Sequence, residues 1–455
     1  MNNRAHVGKI WRKYMDVLIV TLALSVVAPT DFQEIDNSTE ALWELVHELR
    51  EEVQELKNQD NNNDAWFNEQ RAIETKNLAD QILRDADLRS SLQGSGSTSG
   101  WPWLASTDGK FKLKFGGQIQ ARWLLNEATG QEDNQGFEQR RTKFKFSGHV
   151  GDPSWQYKVT ATWGRNDGSS TEDAYINKKF DDGSWFKFGQ YKAGFLRENI
   201  VSSSKQLGVE RSMLNNAFTY GWTQGIEYGW RDDDMGFIFQ YNDGPGLANS
   251  QALDPSRSAW IARVEYKSGD ASWKDLGYLT SKVGAKDGFM LGLSYQSMEI
   301  DDAGTSAEYG NVDANKSEGW SVDASWRGDG WNVLAYMVDT TGTTTDGTEI
   351  DSSGWLVQGG YMINEHTEIF AKHQEGEIEG FNNDMSALSI GFNYWPIAGS
   401  NSVKWTTDVS WAGDSLSDDG DGISPDWVSS GNGWRADTGE ADDQMLIRTQ
   451  LQLLF

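Results

Sequence analysis

From Lys110 to Phe455 the chain changes polarity at every second residue, a period that fits strands and excludes helices as the main element. In "KFKLKFGGQIQARWLL", Phe111, Leu113, Phe115, Ile119 and Trp123 share one face, and Lys112, Lys114, Gln118, Gln120 and Arg122 share the other. "RRTKFKFSGHV" repeats this with Phe144 and Phe146 against Lys143, Lys145 and Ser147. "SWQYKVTATW" sets Trp155, Tyr157, Val159 and Trp163 against Gln156, Lys158 and Thr160, and "SVKWTTDVSW" sets Val403, Trp405, Val409 and Trp411 against Lys404, Thr406 and Asp408. The final "LIRTQLQLLF" puts Ile447, Thr449, Leu451, Leu453 and Phe455 opposite Arg448, Gln450 and Gln452. With 48 Gly, 7 Pro and only 37% hydrophobic residues, the composition suits many strands joined by tight turns.

A soluble sandwich also alternates, so the faces alone do not say which side meets water. The connections do. Sixteen strands are predicted near 110–124, 139–150, 154–163, 173–180, 184–192, 222–230, 235–242, 258–267, 288–298, 318–327, 330–339, 354–363, 366–374, 384–395, 402–412 and 443–455. Odd-numbered connections are long, such as "LNEATGQEDNQGF", "NDGPGLANSQALDPSRS" and 413–442, whereas even ones are mostly short, such as "GDPS", "DDGS", "DDD", "RGDG" and "NEH". One even connection, 268–287, breaks the rule. Long loops at one end and short turns at the other is the arrangement of an outer-membrane barrel. Tryptophans near strand ends (Trp123, Trp155, Trp163, Trp185, Trp222, Trp230, Trp320, Trp326, Trp411) suit its two interfacial girdles. The expected fold is therefore all-β, a 16-stranded antiparallel transmembrane β-barrel over 110–455, closed by pairing its last strand with its first.

The 68 acidic residues against 40 basic ones exclude the basic footprint of a nucleic-acid binder, and the absence of cysteine excludes disulfides and thiol chemistry. At the N-terminus Arg4, Lys9, Arg12 and Lys13 precede an apolar run from Val17 to Ala28, too short to span a bilayer and right for a signal peptide over 1–28. Residues 29–93 read as a short α-helical, coiled-coil segment in the periplasm, with Val46 and Val53 at a and Leu42, Leu49 and Leu56 at d. Residues 94–109, containing "GSGSTSG", read as a flexible linker.

One stretch resembles a known family. "FKFGQYKAGFLRENIVSSSKQLGVERSMLNNAF" carries a G-Q-x-K core (Gly189, Gln190, Lys192), an acidic and Ser-rich stretch (Glu198, Ser202 to Ser204) and an E-R-S triplet (Glu210, Arg211, Ser212). It resembles the strand and constriction loop of the phosphate-selective porin O and P family. Ala193-Gly194 stands where that family commonly shows a Pro-containing pair. The resemblance implies a trimeric outer-membrane porin for small hydrophilic solutes or anions, with a loop over 193–220 folded into the pore. The valine and leucine heptads would instead favour a dimer.

The candidate site residues follow. The lumen face of the first five strands carries Lys112, Lys114, Arg122, Arg141, Lys143, Lys145, Lys158, Lys179 and Lys187, with Asp173 set against them. The constriction loop contributes Lys192, Arg197, Glu198, Lys205, Glu210 and Arg211. Two readings of these charges stand: a field that selects anions, or ion pairs that brace the loop and neutralise the acidic later strands, where Glu265, Asp323 and Asp408 also face inward. No cofactor or metal is implied: "SLSDDGDGISPDW" lacks the spaced Glu of a calcium loop, and His6, His47, His149, His366 and His373 form no catalytic or ligand-spaced set. Two alternatives to a diffusion channel are a secreted carbohydrate-binding or carbohydrate-cleaving β protein and a barrel that tethers the envelope through its N-terminal segment.

Overall fold

The computed structural model describes residues 103–163, 169–244, 257–300, 307–309, 312–314, 316–344, 346–379, 384–413, 416, 427–428, 431–435 and 443–455. The expected signal peptide and helical segment, and the acidic stretch 417–426, lie outside the described residues. Of the expected linker, Trp103–Ala105 forms a short strand, β1, paired with the first barrel strand (Trp103 opposite Lys114).

The barrel strands are β2 (Phe111–Ala128), β3 (Asn134–Val150), β4 (Trp155–Trp163), β5 (Ser169–Lys179), β6 (Ser184–Lys192), β7 (Trp222–Arg231), β8 (Met235–Asn242), β9 (Arg257–Gly269) and β10 (Gly288–Ile300). A small hairpin, β11 (Ala307–Tyr309) and β12 (Val312–Ala314), sits in the connection that follows. The barrel resumes with β13 (Lys316–Gly328), β14 (Trp331–Thr343), β15 (Glu349–Met362), β16 (Thr367–Ile378), β17 (Met385–Tyr394), β18 (Val403–Ala412) and β19 (Gln444–Leu454). Each of these strands pairs antiparallel with its neighbours, and β19 returns to β2 with Leu451 opposite Ala121. Sixteen strands close without an edge, as backbone in hydrocarbon requires.

The alternation read in the sequence becomes an inverted burial pattern. Leu293 points outward and is 55% exposed, while its neighbour Ser294 points inward and is 1% exposed. Gln118, Asn393 and Thr406 are likewise buried inside, and Phe188, Ile390 and Leu451 stand on the outer surface. The short turns are held by aspartates that accept main-chain N–H bonds: Asp152 from Ser154 (2.7 Å), Asp182 from Ser184 (2.9 Å) and Asp232 from Asp234 (2.8 Å). The acidic "RDDDMG" is thus a turn.

Two of the expected girdle tryptophans are corrected. Trp185 shares the inward parity of Lys187 and donates its indole N–H to Glu227 at 2.7 Å. Trp222 opens β7 and lies under two lysines, Lys143 and Lys192, inside the barrel. Trp155, Trp163, Trp320, Trp326 and Trp411 are exposed outside, as expected.

The last residue completes the seam. Phe455 donates its N–H to the Gly117 carbonyl (3.2 Å), and its ring occupies the space beside that glycine, where a Cβ would stand 2.2 Å from Phe455 Cζ. Phe115 and Phe144 pack around the ring at 6.5 and 6.2 Å.

Two segments fill the lumen. Residues 193–221 fold inward as a loop with helices α1 (Arg197–Ile200) and α2 (Met213–Ala217). Its Leu196, Leu207, Leu214 and Phe218 pack with Leu334, Leu356 and Phe370 from the wall of β14–β16. Residues 270–287, the exception to the loop rhythm, carry helix α3 (Trp273–Leu276), begun by a reciprocal Ser272–Asp275 cap. This segment meets the loop: Leu279 N–H donates to the Lys205 carbonyl at 3.0 Å, and the Lys205 ammonium lies 3.9 Å from the centre of the Tyr278 ring.

Candidate functional site

Two β-bulges shape the wall beside the loop. Register slips between the pairs Gln120–Arg141 and Ala121–Gln139, leaving Arg140 as the extra residue on β3. It slips again between Thr160–Asp173 and Ala161–Thr171, leaving Glu172 as the extra residue on β5. A bulge re-aims a side chain that strict alternation would send to the other face. Arg140 joins Arg141, and Glu172 joins Asp173, on the inside.

The G-Q-x-K core supports this geometry. Gly189 adopts φ +125°, and a Cβ there would stand 2.3 Å from the Ala174 carbonyl; only glycine holds such backbone without strain. Gln190 donates to the Glu172 carbonyl at 3.1 Å and so closes the bulge. Lys192 lies 4.6 Å from the centre of the Trp222 ring.

Glu210 ties the loop to the bulged wall. Its carboxylate accepts Arg141 Nη1 and Nη2 at 2.7 and 2.8 Å, Arg140 Nε at 2.7 Å and Arg122 Nη1 at 3.3 Å. Burial pushes this carboxyl up, but the guanidiniums outweigh it and hold it well below the usual carboxylate range. Glu198 ties the loop to itself and to the far wall, accepting the Ser212 N–H at 2.9 Å and the Tyr336 hydroxyl at 3.2 Å, with Lys372 at 3.6 Å. Arg211 donates to the carbonyls of Glu198 (3.0 Å) and Val201 (2.7 Å). Arg197 donates to the Leu276 carbonyl. Burial, together with repulsion from Lys274 and Lys145, lowers Lys205 to about 8.

The basic wall is more fully countered than its sequence suggests. Lys143 pairs with Glu172, Lys158 with Asp173 (2.8 Å), Lys187 with Glu227 (2.6 Å), and Arg122 with Glu138 as well as Glu210. Asp173 is therefore one of several opposing carboxylates; Glu138 and Glu227 face the same side of neighbouring strands, and a bulge brings Glu172. Lys145 differs: it donates to Gln118 Oε1 at 3.0 Å and has no ion pair among the described residues. Lys112 lies over the Trp103 ring (4.5 Å), and Lys114 is exposed, both at the short-turn mouth. Glu265 and Asp323 clasp the buried Arg263 (2.9 and 2.7 Å), and Asp408 pairs with Arg448 (2.7 Å). Among the described residues no group of three or more His, Asp or Glu gathers to hold a metal.

Between wall and loop two cavities lie in series. One, of about 380 Å³, opens toward the long loops and is bordered by Arg140, Arg141, Arg211, Asn215 and Glu210. The other, of about 150 Å³, is deeper and is bordered by Lys143, Lys145, Lys158, Lys192 and Asp173. Glu172 and Trp222 border both.

The family model of the phosphate-selective porins O and P matches residues 111–387, which include the bulged wall and the whole inward loop. The chain belongs to the phosphate-selective porin O and P family. It is an outer-membrane porin, a transmembrane barrel that forms a channel. In fold it is similar to an anion-selective porin from Comamonas acidovorans (TM-score 0.54, 10% identity, 76% of this chain and 100% of that chain). It is also similar to OprB of Pseudomonas putida (0.51, 11%, 76% and 95%) and to OmpF of Salmonella typhi in complex with daunomycin (0.50, 13%, 77% and 100%). At these identities the likeness is one of fold. No curated protein matches the chain by sequence.

Proposed function

We propose that this porin passes small hydrophilic anions, phosphate among them, along the wall of β3–β6, through the outer cavity and then the inner one. The observation that carries this reading is the inner cavity, where Lys143, Lys145, Lys158 and Lys192 face only Glu172 and Asp173. An excess of one sign in a narrow, low-dielectric channel concentrates counter-ions, while the acidic outer loops are screened within ~8 Å at physiological salt. Transport is passive: the loop network through Glu198 and Glu210 fixes the width, and the lysines set the preference. The two readings of the charges divide along the chain, with Glu198, Glu210 and Arg211 bracing and Lys143, Lys145, Lys158 and Lys192 selecting. A planar bilayer bathed in a KCl gradient tests this. The zero-current potential of the wild-type channel should take the sign of chloride permeation, and a potassium-signed potential would refute it.

The working form is a homotrimer in outer-membrane lipid, packed through the face of β3–β7. There Gln139, Thr142 and Gln224 point outward, side chains costly against hydrocarbon and suited to a protein neighbour. Residues 1–28 direct export, and 29–93 are available to tether the envelope from the periplasm.

A further inference from the structure

We propose that the outer cavity is a binding site for a hydroxylated organic monoanion of hexose size, a sugar acid, which the channel takes up in addition to inorganic anions. This rests on the anion pathway proposed above. At about 380 Å³ the cavity falls in the range of small-molecule sites, roughly 300–1,000 Å³. Arg140, Arg141 and Arg211 face Glu172 and Glu210, leaving one positive charge uncompensated, enough for a single carboxylate.

The rest of the lining is not what a bare anion needs. The indole of Trp222 borders the space, with the amides of Asn199, Asn215, Asn216 and Asn432. An indole offers an apolar face to the C–H face of a sugar ring, and an amide both accepts from and donates to hydroxyls. Two polar atoms from these residues, Asn215 Oδ1 and Trp222 Nε1, are buried without a hydrogen-bond partner in the protein. One is an acceptor and the other a donor, and buried groups of this kind are normally satisfied. Sugar hydroxyls both donate and accept, and so suit a donor and an acceptor left without partners. The inner cavity differs: its lysines and serines, Ser202 and Ser203, border a space less than half as large.

The test is current block in a planar bilayer, with glucuronate, glucose or inorganic phosphate added on the long-loop side. Glucuronate should half-block at a concentration at least about tenfold below that of glucose, the worth of one charge-assisted hydrogen bond. Asn215→Ala, and Trp222→Phe, which keeps a ring beneath the lysines, should each weaken block by glucuronate roughly fivefold and block by phosphate by less than about twofold. Equal block by glucuronate and glucose overturns the site, and the wild-type channel alone decides that point. So does an equal loss of glucuronate and phosphate block in the variants. The zero-current potential in sugar-free KCl is read on the same channels. A potassium-signed value overturns pathway and site together; a chloride-signed value with no glucuronate block overturns the site alone.

Discussion

Lys145 offers the most direct perturbation of selectivity, because it borders the inner cavity without an ion pair among the described residues. Removing a paired lysine such as Lys143 also strands Glu172, and the two effects cannot be separated. Lys145→Gln removes one charge and retains a hydrogen-bonding group opposite Gln118. An anion passing at about 6 Å from the ammonium gains about 0.7 kcal/mol in a waterlike dielectric and about 2.8 kcal/mol at an effective dielectric of 20. The lower figure is about a threefold change in local anion concentration and the upper about a hundredfold. The chloride-to-potassium permeability ratio from zero-current potentials in a KCl gradient should therefore fall at least about threefold. Lys145→Glu should lower it about tenfold or more, since the charge change doubles. Lys114→Gln, at an exposed mouth position, should move it by less than about twofold because salt screens it. An unchanged ratio in both Lys145 variants, or an equal shift in Lys114→Gln, would refute the placement of the selectivity field.

Two further outcomes are expected. Lys205, lowered to about 8 by burial and neighbouring cations, is charged below that pH and neutral above it; anion preference should drop between pH 7 and pH 9, and the part of the drop centred near pH 8 should vanish in Lys205→Met. Gly117→Val places its Cβ 2.2 Å from the Phe455 ring and should cost about 1–3 kcal/mol through overpacking at the seam, read as earlier loss of the heat-modifiable band on gels, whereas Gly136→Val, with nothing within 4 Å of its Cβ, should leave that band unchanged.

The barrel was legible because period two and loop rhythm are local and repeat along the chain. The sixteen expected strands match β2–β10 and β13–β19, and the faces assigned to β2, β4, β18 and β19 hold. What the alternation hid was any departure from it. Arg140 and Glu172 sit at bulges, where one extra residue flips a side chain without altering composition. Trp185 was misplaced because proximity to a strand end outweighed its parity with Lys187, a face signal already present in "SWFKF". The odd length of 268–287 was visible, but not its entry into the lumen, which rests on contacts such as Leu279 to Lys205. Tyr336 and Lys372 reach Glu198 from strands more than 130 residues away; only barrel closure brings them there.

The central claim is that water lines one face of these strands and lipid the other. Because the chain has no native cysteine, single substitutions report cleanly. Lys158→Cys stands at the inner cavity and Leu293→Cys on the outer surface. In proteoliposomes a charged, membrane-impermeant thiol reagent should modify position 158 and spare 293, and the anionic form should react faster than the cationic one. A bilayer-dissolved reagent should show the reverse choice of position. Rapid modification of position 293 by the aqueous reagent, with 158 protected, would contradict the account.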